Sequence, residues 1–293
     1  MGEVAKFTPE PTEDGSFTFF DPDFGESFHS RYGARQEAEC KFVQPTELMA
    51  KAHQPSLRIL DVCYGLGYNT AAALTAIWAV NPNCQVEWIG LELNPTVPQA
   101  AIAHHLLDHW PQPIQALLVT LATTQSVQTS HFQGQLWLGD ARQTIQQIHP
   151  RDWQADAIFL DPFSPPHCPQ LWTVEFLERV ARCLKPDGRL ATYSCAASVR
   201  TALLQAGLQI GATPPVGRRS PGTVASLTAT NLPVLSLQEQ EHLLTRAAIP
   251  YRDPDLSDPA ARILQRRQLE QQTSCLEPTS HWKKRWLPPA HET

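Results

Sequence analysis

The segment Asp161-Pro162-Phe163-Ser164-Pro165-Pro166 combines residue types that can hold a small polar group in place. It directly follows the apolar run 155–160, which is typical of a buried central strand. Prolines fix the backbone and offer carbonyls without N–H groups, so this turn is stiff and rich in hydrogen-bond acceptors. Asp161 can accept from an amine, and Phe163 offers a ring for a flat substrate. An ordinary strand-to-loop turn is the alternative, because Asp-Pro pairs are common there.

A second turn carries two glycines at the end of another apolar run. Asp61 precedes the segment Cys63-Tyr64-Gly65-Leu66-Gly67-Tyr68, in which Gly65 and Gly67 let the backbone approach a ligand closely. The segment matches the dinucleotide pattern G-x-G-x-x-G poorly, since its first and last glycine positions hold Cys63 and Tyr68. An Asp before Gly-x-Gly is more typical of S-adenosylmethionine enzymes. There Asp61 and the loop amides would hold the amino and carboxylate groups of the cofactor. A tight turn without a ligand is the alternative.

Acidic residues also follow the next two predicted strands. Glu92 stands where a nucleoside ribose presents two hydroxyls, and its carboxylate can accept from both. Asp140 is placed to accept from an adenine amine, although it can equally cap the helix that follows. We therefore predict cofactor contacts from both residues, with helix capping as the alternative for each.

These residues need a scaffold that brings them together. From residue 57 onward, apolar strands alternate with helical patterns, which predicts an α/β fold of the Rossmann-like type, with a mostly parallel sheet and helices on both faces. The predicted strands cover 57–63, 86–91, 135–138, 155–160, 189–194, 208–210 and 223–227. The predicted helices cover 70–80, 99–109, 141–148, 171–184 and 197–206. Because parallel strands end at one edge, the glycine turn, Glu92, Asp140 and Asp161 should meet there.

Flanking segments differ from this core in composition. We predict a β-rich N-terminal cap over residues 1–50, with strands at 17–20 and 41–43, and a cofactor-binding α/β domain over 51–232. Residues 112–134 are rich in Gln, Thr and Ser and are interpreted as an insertion. Residues 233–293 should form a helical extension, in which Ser236 and Glu239 have the spacing of a capping box.

Composition limits the setting and the partners. No apolar run is long enough to span a bilayer and the N-terminus lacks the layout of a signal peptide, so a cytoplasmic protein without membrane contact is expected. The seven cysteines form no Cys-x-x-Cys pair and the eleven histidines no metal pattern, so no metal is expected. The net charge is −6, yet residues 262–285 hold six basic and two acidic side chains, which is typical either of a phosphate-binding patch or of a solvated helix face.

Together these motifs resemble the class I S-adenosylmethionine-dependent methyltransferases. The more specific resemblance is to the tRNA 5-methylaminomethyl-2-thiouridine methyltransferases, namely the MnmC methyltransferase domain and its stand-alone MnmD form. That family carries a strand-end Asp followed by Phe-Ala-Pro-x-x-x-Pro-x-x-Trp, which resembles the stretch from Asp161 to Trp172. Further similar positions are Asp14-Gly15-Ser16, Phe28-His29-Ser30, Gly33-Ala34, Glu37 and Gly217-Arg218-Arg219. The resemblance covers residues 14–230 and departs from the family pattern at Cys63 and at His167-Cys168.

The resemblance implies methylation of the aminomethyl group of 5-aminomethyl-(2-thio)uridine at the tRNA wobble position. The resemblance also implies roles for single residues: Asp161 orients the substrate amine and takes its proton, and Phe163 and Pro162 contact the uridine base. Tyr64 faces the sulfonium of the cofactor. His29 and Ser30 cover the pocket. Arg218 and Arg219 contact phosphates in the anticodon region.

Two alternatives fit the same residues. One is a methyl- or aminopropyltransferase that acts on a small free amine, for which Arg218 and Arg219 would have no purpose. The other is a non-catalytic RNA-binding module that keeps the fold, against which the intact Asp161, Glu92 and glycine turn argue.

Overall fold

In a computed structural model, which describes residues 7–217 and 220–286, the chain begins with two short antiparallel strand pairs. The first pair is β1 (Glu10–Pro11) with β2 (Phe17–Thr18), and the second is β3 (Phe20–Asp21) with β4 (Glu26–Ser27). The second pair forms a hairpin whose turn is stabilised by Asp21, since its Oδ1 accepts from the backbone N–H of Asp23 at 2.8 Å. These strands form a small N-terminal β element, as predicted.

A helical segment follows the hairpins. It comprises α1 (Ala34–Glu37), a π-helical stretch (Ala38–Val43) and α2 (Leu48–Lys51). The strand predicted at 41–43 is therefore wrong. Phe42 packs edge-on against Phe159 of the central sheet, with ring centroids 5.9 Å apart, so tertiary packing decided the conformation of this short apolar run.

The central sheet has eight strands in the order β11-β12-β10-β9-β5-β6-β8-β7. The strands are β5 (Ser56–Val62), β6 (Gln85–Glu92), β7 (Ser126–Gln128), β8 (Phe132–Leu138), β9 (Ala155–Leu160), β10 (Leu184–Thr192), β11 (Gln209–Ala212) and β12 (Thr223–Ser226). Neighbouring pairs among β8, β6, β5, β9 and β10 are parallel, and the outer strands pair antiparallel. The carboxyl ends of β8, β6, β5 and β9 thus lie side by side at one edge, as predicted.

Helices cover both faces of the sheet. They are α3 (Tyr68–Val80), α4 (Thr96–Ala103), α5 (Gln112–Thr124), α6 (Ala141–Thr144), α7 (Val174–Arg182) and α8 (Ala197–Gln205). Alternate residues along β5 enter different cores: Ile59 packs with α3, α4 and α5, whereas Leu60 packs with α7 and α8. Burial of both faces explains why the strands read as continuous apolar runs.

The segment 112–134, interpreted as an insertion, has secondary structure of its own. It contains the 13-residue helix α5 and the edge strand β7, which pairs antiparallel with β8. The buried positions 114, 117, 118, 121 and 122 follow the i, i+3, i+4, i+7 and i+8 spacing of an amphipathic helix. The Gln and Thr residues between them made this pattern hard to recognise in the sequence.

The C-terminal segment is helical, as predicted. It contains α9 (Leu237–His242), α10 (Ala260–Thr273) and α11 (Thr279–Trp286), and Ser236 with Glu239 forms the expected capping box. Glu239 also pairs with the buried Arg200 of α8 at 2.8 Å, and Ile263 of α10 enters the core below α7. These contacts bind the extension to the sheet.

Candidate active site

A cavity of about 720 Å³ opens where β5, β6 and β9 end. The strand ends form one side, and the β3–β4 hairpin with the segment 28–32 forms the other. Its lining residues include six carboxylates and Arg31; the carboxylates are Asp21, Asp23, Glu26, Glu37, Glu92 and Asp161. A concave wall of this composition concentrates negative potential and favours a cationic ligand.

The glycine turn after β5 approaches the cavity with unusual backbone angles. Cys63, Gly65 and Gly67 have φ values of 70°, 58° and 90°. Cys63 thus adopts a left-handed conformation that costs a non-glycine residue about 1–2 kcal/mol. A Cβ atom at Gly67 would lie 2.7 Å from the Tyr64 hydroxyl, so this turn tolerates no larger residue there.

Asp61 and Tyr64 lie behind the cavity wall. Asp61 Oδ2 accepts from the Thr70 hydroxyl at 2.7 Å, while its buried Oδ1 has no partner within the described part of the chain. Burial raises the pKa of Asp61 well above its usual value. The Tyr64 ring packs edge-on against Trp88 at 5.3 Å, turned toward the core rather than the cavity. Contacts from both residues to a cofactor remain predictions.

Glu92 connects the end of β6 to the glycine turn. Its Oε2 accepts from the backbone N–H of Gly65 at 2.8 Å, and its Oε1 accepts from that of Asn94 at 2.8 Å. Burial raises the pKa of Glu92, although these hydrogen bonds favour the charged form. Each oxygen keeps a further lone pair, so the carboxylate can still accept from two ligand hydroxyls.

Asp140 does not line this cavity. It caps α6 by accepting from the backbone N–H of Arg142 at 2.9 Å, and the Arg142 guanidinium lies 2.6 Å from its Oδ2. Arg142 also pairs with the buried Asp253 of the C-terminal extension at 2.9 Å. The structure therefore shows the capping alternative, and an adenine contact of Asp140 remains a prediction.

Asp161 stands at the end of β9 and faces the cavity. Its Oδ2 accepts from the side-chain amide of Asn69, in α3, at 2.9 Å. Burial raises the pKa of Asp161 to about 7, with a further increase from Glu37 and opposing effects from the Asn69 hydrogen bond and from Lys41. A carboxylate that gains and loses a proton near neutral pH is suited to general acid–base work.

The aromatic ring after Asp161 has neighbours on two sides. Phe24 of the hairpin stacks on Phe163 with centroids 4.5 Å apart, and Phe28 meets it edge-on at 5.0 Å. Backbone carbonyls fix the turn, since Trp172 Nε1 donates to Phe163 and the Tyr193 hydroxyl donates to Pro162. Phe24 thus covers the ring face that was expected to take a substrate base.

The hairpin is also tied to this turn by hydrogen bonds. Glu26 Oε2 accepts from the backbone N–H of Ser164 at 2.8 Å, and its Oε1 accepts from the Ser164 hydroxyl. His167 Nδ1 lies 3.3 Å from the same carboxylate. These contacts therefore fix the β3–β4 hairpin against the turn that follows Asp161.

The predicted covering residues His29 and Ser30 both line the cavity. His29 packs edge-on against Tyr68, and burial lowers the pKa of its imidazole to about 4, which keeps the ring neutral. Ser30 donates its backbone N–H to Glu37 at 2.9 Å. Sequence reasoning assigned no site role to Asn69, Glu26 or Phe24, because their neighbours in the site are distant in the chain.

Arg218 and Arg219 lie outside the described residues. In the C-terminal extension three basic side chains are paired internally: Arg285 with Glu241 and Glu277, and Arg262 and Arg266 with Asp258. These pairs weaken the interpretation of the extension as a phosphate-binding patch.

The residues at this edge fit S-adenosylmethionine. Gly65 lines the cavity with a left-handed backbone, and Glu92 presents a fixed carboxylate to it. Behind the wall, Asp61 has an acceptor without a partner among the described residues. Among residues 7–217 and 220–286, no group of three or more His, Cys, Asp or Glu side chains is arranged to hold a metal ion. No helix in the same ranges is both long and apolar enough to cross a membrane.

Comparisons with known proteins also indicate an S-adenosylmethionine-dependent methyltransferase. A family model described as an S-adenosyl-L-methionine-dependent methyltransferase matches residues 98–228. The crystal structure of MnmC2 from Aquifex aeolicus superposes with a TM-score of 0.81 and 34% sequence identity, covering 92% of this chain and 86% of that one.

Two curated relatives differ in how much of them the chain covers. An uncharacterized protein of Methanocaldococcus jannaschii is 29% identical over 266 residues, covering 88% of this chain and 70% of the relative. The tRNA 5-methylaminomethyl-2-thiouridine biosynthesis bifunctional protein MnmC of Acidovorax sp. is 31% identical over 217 residues, covering 70% of this chain. The chain spans 33% of that bifunctional protein.

Proposed function

The chain belongs to the family of the MnmC methyltransferase domain, a group of S-adenosylmethionine-dependent methyltransferases, and from this premise we propose its substrate. We propose that it methylates the aminomethyl group of 5-aminomethyl-(2-thio)uridine at the wobble position of tRNA. The observation that carries the proposal is the position of Asp161, which lines an acidic cavity at the end of β9 and is oriented by a hydrogen bond from the Asn69 amide.

The cofactor supplies an electrophilic methyl group when it is bound. Gly65, Gly67 and Asp61 would hold its amino-acid end, and Glu92 would accept from its ribose hydroxyls. The chain contributes position and electrostatics around this group.

The substrate amine reaches the enzyme as an ammonium, because an alkylamine has a pKa of about 10.4 and is protonated at neutral pH. Asp161 accepts a hydrogen bond from it and then takes one proton, which leaves the nitrogen lone pair free to attack. The Asn69 amide keeps the Asp161 carboxylate oriented during this transfer. The Glu26 and Phe24 contacts hold the turn that carries Asp161, which fixes the direction of attack.

Backbone phosphates of a tRNA must be held by cations outside the acidic cavity. Arg218 and Arg219 remain the predicted ligands, and Lys283 and Lys284 are exposed on α11. Replacing both arginines by alanine should raise the Michaelis constant for tRNA and flatten its salt dependence, while S-adenosylmethionine affinity stays unchanged.

The decisive test compares methyl transfer to tRNA that carries 5-aminomethyluridine with transfer to spermidine and other free amines. We expect methylation of the tRNA and little of the free amines. Methylation of free amines alone would replace this proposal by the small-amine alternative, and failure to bind S-adenosylmethionine would favour a non-catalytic module.

A further inference from the structure

A buried ion pair lies beside Asp161. Glu37 Oε1 is 3.6 Å from Lys41 Nζ, one helical turn along the chain, and the two side chains are 10% and 2% exposed. The other oxygen of Glu37 accepts from the backbone N–H of Ser30, and Glu37 lines the cavity together with Asp161. Burying two charges costs several kcal/mol per ion, which their attraction rarely exceeds by much, so stability alone is a weak explanation for the pair.

Unpaired polar atoms lie next to these charges. Ser30 is 6% exposed and lines the cavity, yet its hydroxyl has no hydrogen-bond partner in the described ranges. Asn69 donates to Asp161, and its own Oδ1 is likewise buried without a partner there. Buried polar atoms normally have partners, so unpaired oxygens beside two carboxylates indicate a ligand rich in donors.

An ammonium is such a ligand, because it carries three N–H donors and no acceptor. We propose that Glu37, Asp161 and Ser30 together bind the substrate amine in its ammonium form, and that Lys41 is a positioning residue that holds Glu37 in place. This inference rests on the proposed function. It names the residues of that site that select a positively charged aminomethyl group.

The charges of the group support this arrangement. When Asp161 is ionised, two carboxylates and one lysine leave a single negative charge, and an ammonium brings the total to zero. A buried group of charges is least costly when it is neutral and fully hydrogen-bonded. A substrate without a positive charge at this position would leave a net negative charge buried in the site and would bind weakly.

The same charges act on Asp161 in opposite directions. Glu37 raises the pKa of Asp161, and Lys41 lowers it. Among the described residues, Asp61 and Cys63 from the β5 end also interact electrostatically with Asp161, and Asn69 donates to it from α3. Burial raises the pKa of both Asp61 and Cys63 well above their usual values, which favours their neutral forms.

The test measures the rate of methyl transfer to tRNA carrying 5-aminomethyluridine across pH. Glu37→Gln should raise the Michaelis constant about 10-fold or more and move the acid midpoint of kcat/KM downward by about one pH unit. Lys41→Met should move that midpoint upward. The double variant should return the midpoint toward that of the parent enzyme while the Michaelis constant stays high, a pattern that simple loss of structure does not produce.

Two further variants guard against misfolding and nonspecific charge effects. Ser30→Ala removes a hydroxyl that has no partner to lose among residues 7–217 and 220–286, so it should fold normally and raise the Michaelis constant about 5–10-fold. The matched control is Arg35→Met with Glu39→Gln, because that pair has the same i, i+4 spacing nearby but is exposed, with a 3.0 Å contact. It should change neither quantity.

The outcomes separate the two proposals. An active parent enzyme whose Glu37, Lys41 and Ser30 variants keep the parent Michaelis constant and midpoint would overturn the amine site alone. A parent enzyme that methylates only spermidine would overturn the proposed tRNA function. The same ratios measured with spermidine would then decide the amine site, since the ammonium is common to both substrates.

Discussion

From the raised pKa of Asp161 we predict that one substitution has separate effects on turnover and on the free energy of unfolding. Asp161→Asn keeps the shape of the side chain and removes the charge. Because the native state holds the Asp161 proton up to pH about 7 and the unfolded chain releases it near 3.8, the native state binds more protons between these values. The contribution of Asp161 to the free energy of unfolding therefore falls as pH rises through this window.

The magnitude follows from the width of that window. A rise of about three pKa units corresponds to about 4 kcal/mol at 1.36 kcal/mol per unit. Asp161 borders the cavity and is partly open to water, so solvent screening leaves about half, on the order of 2 kcal/mol. Asp161→Asn should therefore raise Tm by about 4 °C at pH 8 and by about 1 °C or less at pH 4.

Thermal unfolding of both proteins at a series of pH values gives this difference directly. Asp152→Asn is the matched control, because Asp152 is an exposed carboxylate that does not line the cavity. In methyl-transfer assays the Asp161→Asn variant should lose about 100-fold or more in turnover while it still binds S-adenosylmethionine. An equal Tm change at pH 4 and pH 8 would refute the burial argument, and turnover within a few-fold of the parent would refute the catalytic one.

Three other substitutions test the surrounding contacts. Glu92→Ala should weaken S-adenosylmethionine binding by about 1.5–3 kcal/mol in calorimetry, because ribose hydroxyls lose a charged acceptor; unchanged affinity would contradict the cofactor assignment. Glu26→Ala removes both hydrogen bonds to Ser164 and should raise the Michaelis constant for tRNA about 10-fold, whereas a purely structural role would lower Tm alone. Arg142→Lys should lower the free energy of unfolding by about 2 kcal/mol in urea titration, since a lysine cannot bridge Asp140 and Asp253 as the guanidinium does. An unchanged urea midpoint would contradict that bridge.

Local patterns in the sequence were sufficient for the sheet and for the residues at its edge. The continuous apolar runs of β5 and β9 follow from burial of both faces, and such runs are legible without any partner. Because parallel strands must end together, Glu92 and Asp161 could be assigned to one edge from the order of elements alone. The capping box at Ser236 was equally visible, since its hydrogen bonds join residues three positions apart.

Only the tertiary structure decided which side chains surround the reacting group. Glu26 and Ser164 are 138 positions apart, and Asn69 and Asp161 are 92 apart, so no local pattern records their contacts. The π-helical stretch at 38–43 and the core-facing ring of Tyr64 likewise depend on packing against Phe159 and Trp88. The sequence by itself determined the scaffold and the chemistry of the strand ends, because these arise from hydrogen-bonded backbone and periodic burial. The hydrogen bonds between the hairpin and Ser164 and the burial of the Glu37–Lys41 pair arise from contacts that exist only once the chain has folded.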